Sequence, residues 1–94
     1  MTPSNKEDLR LAVLEYLYAR EAGAHTLRMI RRRVAAELDF AFTDDELLAA
    51  LVFQHEAGNV HFYYDPDGAT KWWSISRNGV LRIERGSPVA PPPL

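Results

Sequence analysis

The hydrophobic period of this chain changes at Gly58. Before it, apolar residues recur at helical spacing in three successive segments; after it, Val60, Phe62 and Tyr64 alternate with His61 and Tyr63. A period of 3.6 buries one stripe of a helix and a period of two buries one face of a strand, so neither pattern suits the other geometry. The expectation is an α+β domain, three helices followed by a β-hairpin, over residues 1–86. In 94 residues there is no room for a second core.

Ser4 or Asn5 is placed to cap a first helix that runs to about Arg20, with Glu7 and Asp8 in its first turn, where the macrodipole favours anions. Leu9, Val13, Tyr16 and Leu17 form its core stripe. Leu11, Leu14 and Tyr18 form a second stripe, which either packs under another element or makes a dimer seam. The pattern breaks at Ala22, Gly23 and Ala24, and a second helix fits Thr26 to Leu38, with Thr26 as cap and Leu27, Ile30, Val34 and Leu38 buried. Thr43-Asp44-Asp45-Glu46 has the form of a capping box and opens a third helix, with Leu47, Leu48, Leu51 and Val52 on its apolar side and His55 at the edge. Gly58 stands where a left-handed residue ends a helix.

Beyond Gly58, Asp65-Pro66-Asp67-Gly68 supplies turn chemistry, and Trp73 and Ile75 alternate on the return strand. The register then puts Val60, Phe62, Trp73 and Ile75 on the core face and His61, Tyr63 and Trp72 on the outer one. Residues 76–86 admit two readings. Ser76 can cap a short final helix, or Asn78-Gly79 can turn the chain into a third strand. Residues 87–94 hold four of the six prolines and read as an extended tail.

Two stretches resemble a known family. Ala49 to Val60, AALVFQHEAGNV, resembles the end of the recognition helix and the wing-opening glycine of bacterial winged helix-turn-helix regulators. Trp73 to Ile83, WSISRNGVLRI, is similar to the closing wing strand of the MarR- and PadR-like families, where an apolar residue, a hydroxyl cap and a glycine lead into a final helix: here Ile75, Ser76 and Gly79, with Ile83 on the buried side. Gln54 stands where those families carry a leucine, and Asn59 where an aliphatic follows the glycine. The resemblance implies a third helix in the DNA major groove and a wing on the backbone.

Charge argues against that use of the third helix. The formal net charge is -2, but residues 1–36 carry seven basic and four acidic side chains, residues 37–67 eight acidic and none basic, and residues 68–94 four basic and one acidic. The helix meant for DNA therefore brings only anions to a polyanion. Cations lie elsewhere. Arg28, Arg31 and Arg32 share one face of the second helix at i, i+3 and i+4, while Lys71, Arg77, Arg82 and Arg85 extend the positive charge onto the wing.

Two functions follow. One is a DNA-binding, transcriptional regulator-like module, acting as a dimer on double-stranded DNA, with Arg28, Arg31, Arg32, Lys71 and Arg77 on phosphates. The other is a protein-interaction or dimerisation module that uses the acidic third helix or the outer wing residues His61, Tyr63 and Trp72, since exposed aromatics favour interfaces. Catalysis finds no constellation: His25, His55 and His61 lie on separate elements, cysteine is absent, and no phosphate loop or nucleophile elbow occurs. No cofactor, metal or small-molecule site is expected. No apolar run approaches the ~18 residues of a membrane span, and the N-terminus lacks an apolar signal core, which makes the cytoplasm the expected location.

Overall fold

The computed structural model describes residues 1–20 and 23–85, so the proline-rich segment expected at 87–94 lies outside the described residues. The elements are α1 (Pro3–Ala19), α2 (Leu27–Glu37), α3 (Asp44–Glu56), β1 (Val60–Tyr64), β2 (Lys71–Ile75) and α4 (Arg77–Glu84). The expected order of three helices and a hairpin is present, and the ambiguous segment after Ser76 is helical. The third-strand alternative is thereby corrected. Ser76 Oγ accepts a hydrogen bond from the Gly79 amide as N-cap of α4, and Asn78-Gly79 lies inside the helix.

α1 begins earlier than expected. Thr2, not Ser4 or Asn5, is its cap, with Oγ1 accepting from the Asn5 amide at 3.1 Å. Pro3 follows at the first helical position, where its fixed φ suits the helix and its missing N–H leaves no donor unpaired. Glu7 and Asp8 consequently fall beyond the first turn, which holds no acid. Leu9, Val13, Tyr16 and Leu17 are buried as expected, together with Leu14. The rest of the second stripe divides: Tyr18 is packed against the core and its hydroxyl donates to Glu84 Oε2 of α4 at 3.2 Å, while Leu11 is exposed.

α2 buries Ile30 and Val34 between its Thr26 cap and Leu38. α3 starts with the full capping box, Thr43 Oγ1 accepting from the Glu46 amide at 3.1 Å while the Thr43 amide donates to Glu46 Oε1 at 2.8 Å. Its buried side comprises Leu47, Ala50, Leu51 and Gln54, so Val52 and His55, expected near the core, are exposed. The arc is centred on Leu47 and on Gln54 two turns later, which turns Val52 outward.

Gly58 ends α3 with φ +81°, as its position implied. The hairpin pairs Val60 with Ile75, Phe62 with Trp73 and Tyr63 with Trp72. Val60, Trp73 and Ile75 are buried, and the outer residues His61 and Tyr63 are exposed. A further strand-like contact had no signal in the sequence: His25 and Trp73 exchange two backbone hydrogen bonds of 2.8 Å, which pins the α1–α2 connection to the second edge of β2.

The two residues that depart from the winged-helix pattern are each other's partners. Asn59 Nδ2 donates to Gln54 Oε1 at 2.7 Å, and Gln54 Nε2 donates to the Arg10 carbonyl of α1 at 3.0 Å. Both side chains are buried. The Asn59 carbonyl accepts from the Ser76 amide at 2.9 Å, and Ser76 Oγ donates to the Gly58 carbonyl at 2.6 Å. Gly79 closes the joint, since a Cβ there would land on the Asn59 carbonyl oxygen and lie 2.6 Å from Ile75 Cγ1.

A buried amide stripped of its partner loses solvation without recompense, at about 1–3 kcal/mol, whereas removing both partners together can be nearly neutral. Gln54→Leu and Asn59→Leu are each expected to lower unfolding free energy by roughly that amount, and the double variant by clearly less than the sum. Urea unfolding of the four proteins measures the coupling, and strict additivity would contradict it.

Candidate nucleic-acid interface

The arginine face is built by the register of α2. Its buried residues Ile30 and Val34 are one turn apart, which turns Arg28, Arg31, Arg32 and Arg33 to solvent, all four exposed. Packing of α1 on α2 adds a cation that spacing along α2 does not reveal. Arg20 stands at the end of α1, its guanidinium 4.5 Å from the Tyr16 ring centroid. Tyr16, Arg20, Arg28, Met29, Arg32, Arg33 and Ala36 line one open hollow. Arg28, Arg31 and Arg32 also line a second, against Phe40 and Phe42 of the α2–α3 connection. Five arginines thus surround one stretch of surface.

Arg31 is already engaged. Its Nε lies 2.9 Å from Asp44 Oδ1 at the start of α3, with both side chains more than half exposed. Solvent screens such a pair, which is worth at most about 1 kcal/mol.

The wing cations lie apart from this cluster. Lys71, on β2, lies over three rings, with Nζ 4.3 Å from the Phe62 centroid, 5.2 Å from Trp73 and 5.4 Å from Tyr64. Arg77 is exposed in the first turn of α4. Neither lines either arginine hollow. Of the outer wing residues, His61 and Tyr63 are exposed, whereas Trp72 is half-buried, with a shielded Nε1 that has no hydrogen-bond partner among the described residues. Tyr64, which shares the parity of the core face, is also exposed at the tip. The exposed side of α3 carries Asp45, Ala49, Val52, Phe53 and Glu56. These five side chains include no hydrogen-bond donor for a base edge or phosphate; the exposed α3 side chain that has one is His55 at the edge, its Nδ1 3.1 Å from the Val60 carbonyl oxygen.

The fold as a whole aligns with solved structures. The crystal structure of MepR, a transcription regulator of the Staphylococcus aureus multidrug efflux pump MepA, aligns with a TM-score of 0.66 at 18% identity, covering 81% of this chain and 51% of that one. MepR in its DNA-binding conformation aligns at 0.68 and 18%, covering 83% and 53%. A transcriptional regulator from Clostridium thermocellum aligns at 0.67 and 14%, covering 90% and 82%. The fold is a winged helix. This winged helix spans about half the length of the MepR chains it matches. No protein-family model and no curated protein matches its sequence.

Beside the arginine hollow of the winged helix sits one histidine with a displaced equilibrium. His25 Nδ1 is 3.3 Å from the Tyr16 hydroxyl, and the two rings meet edge to face. Burial, and then the Arg20 guanidinium, lower its pKa below the ordinary 6.5 of imidazole, with the Arg20 backbone carbonyl opposing them in part. The unfolded chain therefore takes up this proton first as pH falls, so stability drops with pH through 6.5 toward the lower folded value and is unaffected by His25 above that window. Thermal melts between about pH 7 and pH 5 should show a falling midpoint that flattens in His25→Gln. An unchanged pH slope in the variant would contradict the assignment.

Proposed function

We propose that this winged helix is a DNA-binding module of the transcription-regulator kind that holds duplex phosphates with Arg28, Arg31 and Arg32 of α2. Arg20 and Arg33 add to the same positive surface, and Lys71 and Arg77 extend it from the wing. The gathering of Arg20, Arg28, Arg32 and Arg33 around one hollow is the observation that carries this reading. Guanidinium groups so grouped suit successive phosphates, and the opening of the solvent-exposed Arg31–Asp44 pair would release Arg31 at little expense. The matched solved structures are those of transcription regulators, which favours the same reading at the level of the fold. Contact through phosphates positions a protein without reading sequence, so α2 supports general duplex affinity. A pair of such modules on one duplex would multiply that affinity.

No catalytic activity is proposed. Among the described residues no group of three or more His, Cys, Asp or Glu could hold a metal ion, and no helix is long and apolar enough to cross a membrane. Cytoplasmic residence is part of the proposal, because chromosomal DNA is the partner.

The wing favours a second reading, as a protein-interaction module. Tyr63 and Tyr64 are 55% and 53% exposed, and His61 and Trp72 share the outer face with Tyr63. Aromatic side chains held on a rigid hairpin are suited to burial by a protein surface.

Fluorescence anisotropy of a labelled random duplex across a salt series tests the first reading. Log affinity should fall linearly with log salt by about 0.9 per phosphate contacted, and Arg28→Ala with Arg32→Ala should make the slope shallower by about 1.8. Absence of binding at low salt, or a slope indifferent to the double substitution, would overturn it and leave the wing as the functional surface.

A further inference from the structure

Two aromatic side chains adjoin the arginines of α2. The chain between α2 and α3 runs without helix or strand through Phe40, Ala41 and Phe42. Both phenylalanines are half-buried and packed against the core, which holds their rings in place, whereas Ala41 is exposed. With Arg28, Arg31, Arg32 and Ala35 of α2 they line an open hollow of about 500 Å³. That size lies within the ~300–1,000 Å³ of small-ligand clefts. The hollow thus combines three guanidinium groups from the helix with two rings from the connection, and its remaining lining side chains are single methyl groups.

These two kinds of lining ask for different chemistry in one ligand. Guanidinium groups bind phosphate and also stack on planar rings. A phenyl ring carries no donor or acceptor, so it cannot read the edge of a paired base; it offers a flat apolar surface to the face of one. Within a blunt duplex the base faces are covered by neighbouring pairs, and only edges and phosphates are open. A ligand that uses both parts of the hollow is a nucleotide whose base has left the stack.

We infer that this hollow takes one unpaired nucleotide of a DNA strand, its base against Phe40 and Phe42 and its phosphate on Arg28 and Arg32, so that a duplex with a single-stranded overhang binds more tightly than a blunt one. A free nucleotide has the same chemistry, but the cations continue past the hollow. Arg28 and Arg32 also line the neighbouring one with Arg20 and Arg33, which suits successive phosphates of a strand better than the phosphate of a monomer. The acids that flank the aromatic segment in the chain are Asp39 and Asp44, and Asp44 is already paired with Arg31. The inference rests on the phosphate reading of α2 and adds the form of nucleic acid that the surface prefers.

Fluorescence anisotropy of the full chain at low salt, with one labelled duplex made blunt or with a short adenine overhang, tests the inference. The overhang should tighten binding about tenfold, the worth of one stacked base. Phe40→Leu with Phe42→Leu, which keeps apolar bulk against the core, should bring the ratio of the two affinities to about one. In the unmodified protein the ring resonances of Phe40 and Phe42 should move with the overhang duplex and stay in place with the blunt one, a readout that holds even if the double variant fails to fold. Equal affinity for the two duplexes, rings unmoved by the overhang, or a preference that survives the double substitution with helical content intact would overturn the inference and leave the phosphate reading standing. Displacement of the overhang duplex by an equal concentration of free deoxyadenosine monophosphate would overturn the strand as the source of the nucleotide. Binding to neither duplex would remove the phosphate reading and this inference together.

Discussion

The buried amide pair Gln54–Asn59 joins α1, α3 and α4 at one point. Gln54 extends from the last turns of α3 to the Arg10 carbonyl of α1, Asn59 hands its carbonyl to Ser76 at the start of α4, and Ser76 returns a hydrogen bond to Gly58. A polar network in the interior is either satisfied throughout or costly, so each member restrains the next. Gly58 at φ +81° lets the chain leave α3 toward this joint, and Gly79 lets α4 approach it without a side chain in the way. The angle between α3 and the wing, and the seat of α4 against both, depend on these contacts.

A second tie fixes the arginine side. The His25–Trp73 backbone pair holds the start of α2 to β2, whose Trp73 is buried at the centre of the core. With that end pinned and Ile30 and Val34 facing inward, Arg28, Arg31, Arg32 and Arg33 have no direction but outward. The positive surface is thus a consequence of how α2 is seated, and the acidic start of α3 beside it is a consequence of helix capping. Opposite charges abut because an element boundary falls between them.

Periodicity made the three helices and the hairpin readable from the sequence, and the parity of Val60, Phe62, Trp73 and Ile75 gave the inward face of the wing. The features that escaped it are those without a period. A one-residue bridge at His25 leaves no alternation to detect. Thr2-Pro3 is a stronger start signal than Ser4 or Asn5, but it lies before the apolar stripe begins. Gln54 and Asn59, five residues apart, looked like separate departures from a pattern because their partnership exists only once α3 has ended and the chain has turned. Arg20 joined the site through helix packing, whereas Arg28, Arg31 and Arg32 were visible as a face of α2. Lys71 was legible as a cation on the wing, but its position over three rings depends on the pairing of Phe62 with Trp73.

The winged-helix fold and the charge distribution point to different elements. In helix-turn-helix regulators a recognition helix enters the groove; here α3 is by charge the part of the surface least suited to do so, and α2 carries the cations. The phosphate binding proposed for α2 would reconcile the fold with the chemistry and leave α3 free to meet a protein surface. Amide and arginine side-chain NMR of the labelled protein, titrated with a short duplex at low salt, examines this division residue by residue. The largest shifts are expected at Arg20, Arg28, Arg31 and Arg32 with Asp45 to Glu56 little changed; shifts centred on the outward residues of α3 would contradict it.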